Sequence, residues 1–255
     1  MKTYNISVSG ELSVGSATYE FKKTLLKKLK NFFVKYNNVS LHHEYYGDTF
    51  SRISFAVNDM KNIIFTIDLS TSRSFLFSIC KADNIESEVY LTQFQPVSGQ
   101  ITGNSYMDKN GNRWYPINIY FNMNVFENNG KLVAFLAYDG KGTVDDAIVF
   151  GKDNFDRNYI YFTYNNKLYY DNSDYIECRC DSDKLATNID GYVYLKKNIC
   201  IYKNNYVVGT TNTVVIICNT NLGTSTNNTY LNLIDIDGTK YRQLKANIWI
   251  EDKEE

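Results

Sequence analysis

Apolar and polar residues alternate along most of this chain, and this alternation constrains its fold more than any other feature. A period of two places successive side chains on opposite faces of a β-strand. In the segment 113–126, for example, Ile117, Ile119 and Phe121 fall on one face, and mostly polar residues fall on the other. Because such segments recur over nearly the whole length, the sequence predicts a mainly β protein.

The predicted strands fall into two groups, which turn signals such as Asn-Gly, Asp-Gly and Asn-Asn pairs divide into short segments. The first group comprises 3–8, 39–46, 50–57, 62–69, 74–80 and 88–94. The second comprises 113–126, 131–138, 146–150, 159–164, 167–170, 174–180, 191–195, 198–203, 206–209, 213–218, 229–236 and 240–250. So many short strands predict an all-β unit, a sandwich or a barrel-like unit, in the second part of the chain.

One segment, 18–36, has the period of an amphipathic helix instead. Its apolar residues recur every three or four positions: Phe21, Leu25, Leu26, Leu29, Phe32, Phe33 and Tyr36. Lysines cover its other sides: Lys22, Lys23, Lys27, Lys28, Lys30 and Lys35. So heavy an apolar face favours packing on a sheet with the lysines solvated, and contact with a membrane or nucleic acid is the weaker alternative.

A domain boundary is predicted between residues 97 and 98. Pro96, Ser98, Gly99 and Gly103 cluster there, between two strand-rich regions. Residues 1–97 then form an α+β unit of a strand, a helix and antiparallel strands, and residues 98–255 form an all-β unit. The predicted fold class is therefore mainly β with one N-terminal amphipathic helix.

Charge and the N-terminal residues bear on partners and location. The 255 residues carry a net charge of −1, which gives no basic field to hold a nucleic acid. The first residues, MKTYNISVSGELSV, alternate and lack the apolar core of a signal peptide, and no stretch is long enough to cross a bilayer. We therefore expect synthesis in a reducing cytosol, no signal peptide and no membrane partner.

Cysteine and histidine, the usual ligands of zinc, are arranged poorly for a metal site. Cys178 and Cys180 point the same way along a predicted strand, but zinc needs two further ligands nearby. His42 and His43 are adjacent, so on a strand they face opposite ways, one buried and one exposed. The remaining cysteines lie in apolar runs and are expected in the core: Cys80, Cys200 and Cys218. No metal or cofactor is predicted.

Pairs of carboxylates could serve a polysaccharide hydrolase. The candidates are Asp145 with Asp146, Asp181 with Asp183, and Asp235 with Asp237. Each pair lies in or beside a predicted turn, where aspartate commonly bonds to the backbone. Two stretches with oxygen ligands at alternate positions, 108–112 and 235–238, could suggest calcium but are interpreted as hairpin turns. Phosphate-binding and nucleophile-elbow motifs are also missing, so we assign no catalytic residue and predict no enzyme.

Tyrosine clusters are the remaining functional hint. The chain has 22 tyrosines, among them those of segment 159–164, Tyr169, Tyr170, Tyr202 and Tyr206. These side chains could anchor a protein interface or stack on sugars, and about half are expected to fill the core instead. The acidic end, residues 251–255, is expected to be solvated rather than to bind a basic partner.

Four stretches, taken in order, resemble virion structural proteins of tailed bacteriophages. They are FKKTLLKKLKNFFVKY (21–36), NRWYPINIYFNMN (112–124), KLVAFLAYDG (131–140) and YLNLIDIDGTKYRQL (230–244). The last contains Ile234, Ile236, Gly238 and Tyr241, which is similar to the final strands of such proteins. The resemblance is architectural and covers most of the chain. It implies a neck, tail or baseplate component present in several copies, and it transfers no functional residue.

The first expectation for function is therefore a non-enzymatic structural component of a phage virion, made in the host cytoplasm. It would act through protein–protein contacts, as a homo-oligomer and with other tail or neck proteins. The alternative is a receptor- or glycan-binding β module, which predicts solvent-facing tyrosines beside Asn and Asp. A third hypothesis is a carboxylate-dependent polysaccharide hydrolase, which predicts one carboxyl with a raised pKa.

Overall fold

The computed structural model confirms a mainly β chain with a single N-terminal helix among the residues it describes. Those residues are 1–13, 16–17, 19–69, 74–82, 89–98, 100–101, 103–138, 147–163, 167–171, 176–179, 195–218, 232–245 and 248–253. Within these ranges the sheets stay open, so the barrel-like alternative for the second part is not what the strands form. No helix in the same ranges has the length and apolar character to cross a membrane.

Apart from α1, the secondary-structure elements of the described residues are strands. The first part contains β1 (Lys2–Ser13), β2 (Ser16–Ala17), α1 (Tyr19–Phe33), β3 (Val39–Tyr46), β4 (Ser51–Val57), β5 (Ile63–Leu69), β6 (Ser74–Lys81), β7 (Val89–Ser98), β8 (Gln100–Ile101), β9 (Tyr106–Met107) and β10 (Arg113–Asn128). The second part contains β11 (Lys131–Tyr138), β12 (Ala147–Lys152), β13 (Asn158–Phe162), β14 (Lys167–Tyr170), β15 (Ile176–Arg179), β16 (Leu195–Lys203), β17 (Tyr206–Cys218), β18 (Leu233–Ile236), β19 (Thr239–Lys245) and β20 (Ile248–Glu251).

Grouped by contacts, the chain forms two compact units. The N-terminal unit is Thr3–Met123 with Ala137–Gly140, and the C-terminal unit is Met1–Lys2, Asn124–Leu136 and Lys141–Glu255. Strand β10 contributes residues to both units. The domain boundary predicted between residues 97 and 98 remains a prediction.

The N-terminal unit contains two sheets and α1. Strands β3 to β7 form a five-stranded antiparallel sheet in chain order, with β3 and β7 at its edges. In the second sheet β1 lies between β2 and β10, and the short strands β8 and β9 pair with β10. Every apolar residue of the α1 stripe from Leu25 to Leu29 is fully buried, which confirms that the helix packs on a sheet.

Aromatic side chains fasten α1 to the five-stranded sheet. The ring of Phe33 is fully buried, and its centroid lies 5.3 Å from that of Phe55 and 5.4 Å from that of Phe65. Phe65 in turn stacks on Phe77 at 5.4 Å, so the aromatic contacts run from the helix across β4, β5 and β6. Burial of apolar side chains, large aromatic rings among them, is the dominant favourable contribution to folding.

The same helix also contacts β1. The ring of Phe32 lies 5.0 Å from that of Tyr4 in an edge-to-face arrangement. Phe21 packs so closely on Gly10 that a Cβ at Gly10 would lie 2.3 Å from the Phe21 ring. Gly10 is therefore a glycine because the helix approaches the β1 backbone there.

Lys22 is an exception to the prediction that the lysines of α1 are solvated. Its side chain is fully buried, and its ammonium group donates a hydrogen bond to the backbone carbonyl of Asp48, between β3 and β4. Burial disfavours the charged form and lowers the pKa of Lys22, while the nearby Asp48 carboxylate acts in the opposite sense. The aliphatic stem of Lys22 thus belongs to the buried face of α1, which the periodicity of charged residues did not reveal.

Two further lysines bind α1 to its neighbours at the surface. Lys28 Nζ donates to the carbonyl oxygen of Ser7 in β1 at 2.9 Å. Lys30 Nζ lies 2.7 Å from Glu44 Oε2 in β3, and this hydrogen bond is the main cause of the lowered pKa of Glu44. The lysines of the helix therefore contact both sheets, which weakens the case for a membrane or a nucleic acid on that face.

The C-terminal unit is one antiparallel sheet in which most strands pair with their neighbours in the chain. Its order is β10-β11-β12-β13-β14-β15-β16-β17-β20-β19-β18. One face carries the main core, which includes Tyr159, Tyr161, Leu168, Ile199, Ile201, Leu244, Ile248 and Ile250. A smaller cluster of Val215, Tyr241 and Trp249 is also buried.

Asparagine and aspartate close several hairpins in the left-handed conformation. Asn204 and Asn205, with φ of 51° and 66°, join β16 to β17. Asp237 and Gly238, with φ of 52° and 79°, join β18 to β19. Two central residues with positive φ make a type I′ turn, whose twist matches that of the flanking strands. The predicted turns at these positions are confirmed.

Candidate functional site

The candidate site is an exposed cluster in the C-terminal unit, which we name the loop-tip patch. It consists of Phe155 and Arg157, from the loop between β12 and β13, and of Tyr206 and Val207, from the tip of the β16–β17 hairpin. Phe155 is 63% exposed, Tyr206 77% and Val207 56%. Large apolar side chains this exposed are the feature that most needs a functional explanation.

Hydrogen bonds attach the β12–β13 loop to β17. Asp153 forms an isolated β-bridge with Thr211. The backbone N–H of Asn154 donates to the carbonyl of Thr210 at 3.0 Å, and the N–H of Thr210 donates to Asn154 Oδ1 at 2.7 Å. A Cβ at Gly209 would lie 3.1 Å from Asn154 Oδ1, so the loop approaches the strand where a glycine leaves room.

The buried carboxylate of Asp153 organises this loop. It accepts hydrogen bonds from the backbone N–H groups of Phe155 and Arg157, both at 2.9 Å, from Arg157 Nε at 2.7 Å and from the Tyr170 hydroxyl at 2.7 Å. Burial alone would raise its pKa, but the hydrogen bonds from Tyr170 and Arg157 outweigh burial and lower the pKa of Asp153. Asp153 is thus held ionised by its donors and serves as an anchor for the loop.

The guanidinium group of Arg157 links the loop to the hairpin. Its Nη2 lies 2.6 Å from Asp153 Oδ2 and donates to the carbonyl of Val208 at 3.2 Å. The same group lies 4.7 Å from the ring of Tyr170 and 5.3 Å from that of Phe155. Its side chain nevertheless remains 48% exposed. The loop-tip patch therefore presents an oriented arginine together with exposed apolar groups.

Most of the predicted tyrosine cluster lies in the core instead. Tyr159, Tyr161 and Tyr169 are fully buried and Tyr170 is 8% exposed. Tyr206 is the exposed member of the cluster among the described positions, and Tyr164 lies outside them. Sequence reasoning missed Phe155, because a single aromatic residue in a turn gives no periodic signal.

One histidine is exposed, as predicted, but the other is not buried as expected. A β-bulge between Leu41 and His43 leaves His42 opposite no residue of β4. His42 is exposed and His43 half-buried, so neither is the expected core histidine. Both lie on β3, an edge strand.

The cysteines are placed partly as expected. Cys80 is buried, as predicted, whereas Cys200 is only half-buried, and both are free thiols. Cys178 lies in β15 opposite Ile201, and Cys180 lies outside the described residues. Within the described ranges no three side chains of His, Cys, Asp or Glu come close enough to hold a metal ion.

Both stretches that could suggest calcium form hairpin turns. The Asp108 carboxylate accepts from Trp114 Nε1 at 3.1 Å and from the backbone N–H groups of Asn112 and Asn110 at 2.9 and 2.8 Å. These donors, with Trp114 first, lower the pKa of Asp108 to about 2. In the second stretch, Asp235 Oδ1 accepts from the N–H of Gly238 at 2.8 Å. The oxygens of both aspartates therefore face N–H donors of their own turns.

The carboxylate pairs give the hydrolase hypothesis no support. Asp145, Asp146, Asp181 and Asp183 lie outside the described residues. Wherever the pKa of a described carboxyl group is clearly shifted, it is lowered, as at Glu44, Asp108, Asp153 and Asp252. A hydrolase of this type needs one carboxyl with a raised pKa.

The C-terminal segment is tied to the fold at Asp252, which corrects the expectation of a solvated acidic end. Asp252 is 5% exposed and accepts hydrogen bonds from the α-amino group of Met1 at 2.6 Å and from Arg242 at 2.9 and 3.0 Å. Burial opposes its ionisation, but these partners outweigh burial and lower its pKa. A cleft of about 100 Å³ lies beside it, lined by Met1, Phe126, Val133, Ile250 and others. Glu254 and Glu255 lie outside the described residues.

Compared with family models, with curated proteins and with solved structures, the chain shows no significant match.

Proposed function

We propose that this chain is a non-enzymatic structural protein that works through protein–protein contacts in a multi-copy assembly. The observation that carries the proposal is the loop-tip patch: the ring of exposed Phe155 lies 5.3 Å from the guanidinium group of Arg157, which Asp153 and Tyr170 hold in place and which bonds to the hairpin that carries exposed Tyr206 and Val207. Aromatic residues and arginine are enriched where proteins bind each other, and a fixed side chain loses less entropy on binding.

The assembly we propose is a phage virion, in which the chain is a neck, tail or baseplate component. The architectural resemblance favours this class, and a mainly β fold with one helix near the N-terminus is compatible with it. The partner that we assign to the loop-tip patch is a neighbouring copy of the same chain, because repeated contacts between identical subunits build closed symmetric assemblies. Other tail or neck proteins complete the set of partners.

The contact is tested by replacing Phe155 and Val207 together with serine. Size-exclusion chromatography with light scattering is expected to give a multiple of 29.5 kDa for the wild-type chain and a mass near 29.5 kDa for the double variant. Leu233→Ser is the matched control, since Leu233 is 44% exposed in the same unit but outside the patch. A wild-type chain that stays monomeric at its highest attainable concentration contradicts the multi-copy assembly.

The class of assembly is tested separately by the neighbouring genes. Genes for capsid or tail proteins on both sides are expected if the chain is a virion component. A location among genes of metabolism would argue against a virion role, whatever the mass of the purified protein.

A further inference from the structure

The outward face of the β1–β10 sheet, in the N-terminal unit, has a composition unlike that of the loop-tip patch. Ile6 and Val8 of β1 are buried, and so are Ile117, Ile119 and Phe121 of β10. Because side chains alternate along a strand, the intervening residues point to the other side, where they are exposed or half-buried. We name this side the amide–aromatic face and define it by Ser7, Ser9, Trp114, Asn118, Tyr120 and Asn122.

Hydrogen bonds hold the aromatic rings of this face in place. Trp114 Nε1 donates to Asp108 Oδ2 at 3.1 Å, and the Tyr120 hydroxyl donates to Asn122 Oδ1 at 3.3 Å. Tyr120 is nonetheless 46% exposed. Tyr106, also 46% exposed, lies directly opposite Trp114 in the β9–β10 pairing, so its ring is on the same side. The face therefore offers flat rings whose orientation is fixed before any ligand arrives.

Amide and hydroxyl groups lie between these rings. Asn118 Oδ1 accepts from the hydroxyl of Ser7 at 3.3 Å and from that of Ser9 at 3.4 Å. These bonds engage the oxygens of the Asn118 and Asn122 amides and do not use their N–H donors. Side-chain amides and hydroxyls can both donate and accept, which is the complement that a sugar hydroxyl requires.

Charge distinguishes this face from a protein- or nucleic-acid-binding surface. The six residues that define it carry no charge, and the two carboxylates at its margin, Glu11 and Asp108, accept hydrogen bonds from the Tyr106 hydroxyl and from Trp114 Nε1. The loop-tip patch, in contrast, combines a guanidinium group with exposed phenylalanine and valine. A neutral surface of rings, amides and hydroxyls matches a ligand that is itself neutral, polar at its edges and apolar on its flat faces.

We propose that the amide–aromatic face binds a neutral oligosaccharide. The C–H faces of sugar rings would lie on Trp114 and Tyr120, and sugar hydroxyls would contact the amides of Asn118 and Asn122. Trp114 and Tyr120 are six residues apart on one strand, a span of about 20 Å. A ligand of several sugar units reaches both rings, and a monosaccharide reaches one of them at most. The proposal does not depend on the oligomeric state of the chain.

The experiment uses the tryptophan of the face as its probe. The chain has 2 tryptophans, so in the variant Trp249→Phe the fluorescence comes from Trp114 alone. This variant is titrated with cellohexaose, maltohexaose, chitohexaose and mannohexaose, and with the corresponding monosaccharides. We expect a saturable change of Trp114 fluorescence with at least one hexasaccharide and none with its monosaccharide.

Variants then locate the binding. Tyr120→Ala and Asn118→Ala are each expected to weaken the affinity at least tenfold, about 1.4 kcal/mol, whereas Tyr120→Phe keeps the ring and most of the affinity. Tyr45→Ala, at a 50% exposed tyrosine of β3 that belongs to neither surface, is the matched control and is expected to leave the affinity unchanged. Circular dichroism of each variant confirms that it is folded.

Three results would overturn the proposal. They are no response to any of the hexasaccharides, a response that Tyr120→Ala does not reduce, and a protein ligand that Tyr120→Ala abolishes while no hexasaccharide competes for it. The oligosaccharide proposal and the proposed subunit contact can fail independently. Tyr120→Ala is expected to lose affinity for the oligosaccharide while light scattering still gives the wild-type mass.

Discussion

The two units of this chain differ in the contacts that connect their own segments. In the N-terminal unit, a helix with a fully buried apolar stripe contacts both sheets, and lysines extend from it to carbonyl and carboxylate oxygens. In the C-terminal unit, the described residues contain no helix, and buried carboxylates accept hydrogen bonds from a loop, from two strands and from the N-terminal amino group. Helix packing therefore connects the segments of the first unit, which also buries an ion pair between Arg52 and Asp68 in its five-stranded sheet, whereas carboxylate anchors connect a loop and a chain end to the sheet of the second.

This contrast can be measured because each unit contains one tryptophan. Trp114 belongs to the N-terminal unit and Trp249 to the C-terminal unit. Trp249→Phe leaves a fluorescence signal from the first unit, and Trp114→Phe leaves a signal from the second. Urea unfolding of these single-tryptophan backgrounds gives a free energy of unfolding for each unit without assuming that the whole chain unfolds in one step.

The largest effect is expected from Phe33→Ala in the N-terminal unit. Loss of this fully buried ring leaves a cavity between α1 and the five-stranded sheet and should cost about 3–5 kcal/mol. The measurement is urea unfolding followed at Trp114. Val34→Ala, at an adjacent residue that is 41% exposed, is the control and should change the free energy by less than about 0.5 kcal/mol. A small effect of Phe33→Ala would contradict the role given to the helix.

The next effect is expected from Asp153→Asn in the C-terminal unit. An amide cannot accept the same set of donors, and it leaves Tyr170 and Arg157 poorly paired. We therefore expect the free energy of unfolding, followed by the fluorescence of Trp249, to fall by about 2–3 kcal/mol. Asp156→Asn is the matched control, since the side chain of Asp156 is 81% exposed and its positive φ suits asparagine as well. Equal effects of the two substitutions would show that the loop has no special anchor.

A smaller effect concerns the pH dependence of the C-terminal unit. The pKa values of Asp153 and Asp252 are lowered in the folded chain, whereas in the unfolded chain they are near the ordinary value of about 3.9. Below about pH 5 the unfolded chain therefore binds protons that the folded chain does not, and stability falls as the pH falls. Asp252→Asn should be less stable at neutral pH but should lose less stability between about pH 5 and about pH 3. If the free energy of unfolding falls equally with pH in the variant and in the wild type, protonation of Asp252 does not contribute to the pH dependence.

The smallest effect is expected from Lys30→Gln. Its ion pair with Glu44 is partly exposed, and such pairs contribute about 0.2–1 kcal/mol. Lys109→Gln, at an exposed lysine of the same unit, should be nearly neutral. A double-mutant cycle with Glu44→Gln, followed at Trp114, measures the pair itself. A coupling above about 2 kcal/mol would mean that charge, and not packing alone, joins helix and sheet.

The regular elements could be predicted because their signals are periodic. The helix predicted at 18–36 is observed as Tyr19–Phe33, and the strand predicted at 113–126 as Arg113–Asn128. The segments 206–209 and 213–218 were predicted as separate strands and form one, β17. The hydroxyl of buried Thr211 accepts from the backbone N–H of Ile199 at 3.2 Å, next to an irregularity in the β16–β17 pairing. Here a side-chain hydroxyl takes the place of a backbone carbonyl as hydrogen-bond acceptor between two strands, and the pattern of apolar residues does not reveal this.

The loop-tip patch and the amide–aromatic face were the least predictable parts, because each of these two surfaces depends on tertiary placement. Alternation assigned Tyr120 to the polar side of its strand, but it could not show that Ser7 and Ser9 lie beside Asn118. Lys22 stands three and four residues before Leu25 and Leu26, so its spacing places it beside the apolar stripe, but the carbonyl of Asp48 that its ammonium group reaches is visible only in the fold. Likewise the role of Asp153 depends on Tyr170, a residue of another strand.

The asparagine turn of the β16–β17 hairpin bears on how the C-terminal sheet forms. A glycine would reach positive φ more easily, but the unfolded chain would then have more conformations to lose, and asparagine reduces that entropic cost. Asn204 and Asn205 thus set the strand register from within the hairpin, before distant segments take part. Most strands of this sheet also pair with their sequence neighbours, so contacts are local in sequence. We expect the sheet to grow one hairpin at a time, and faster than its size alone would suggest.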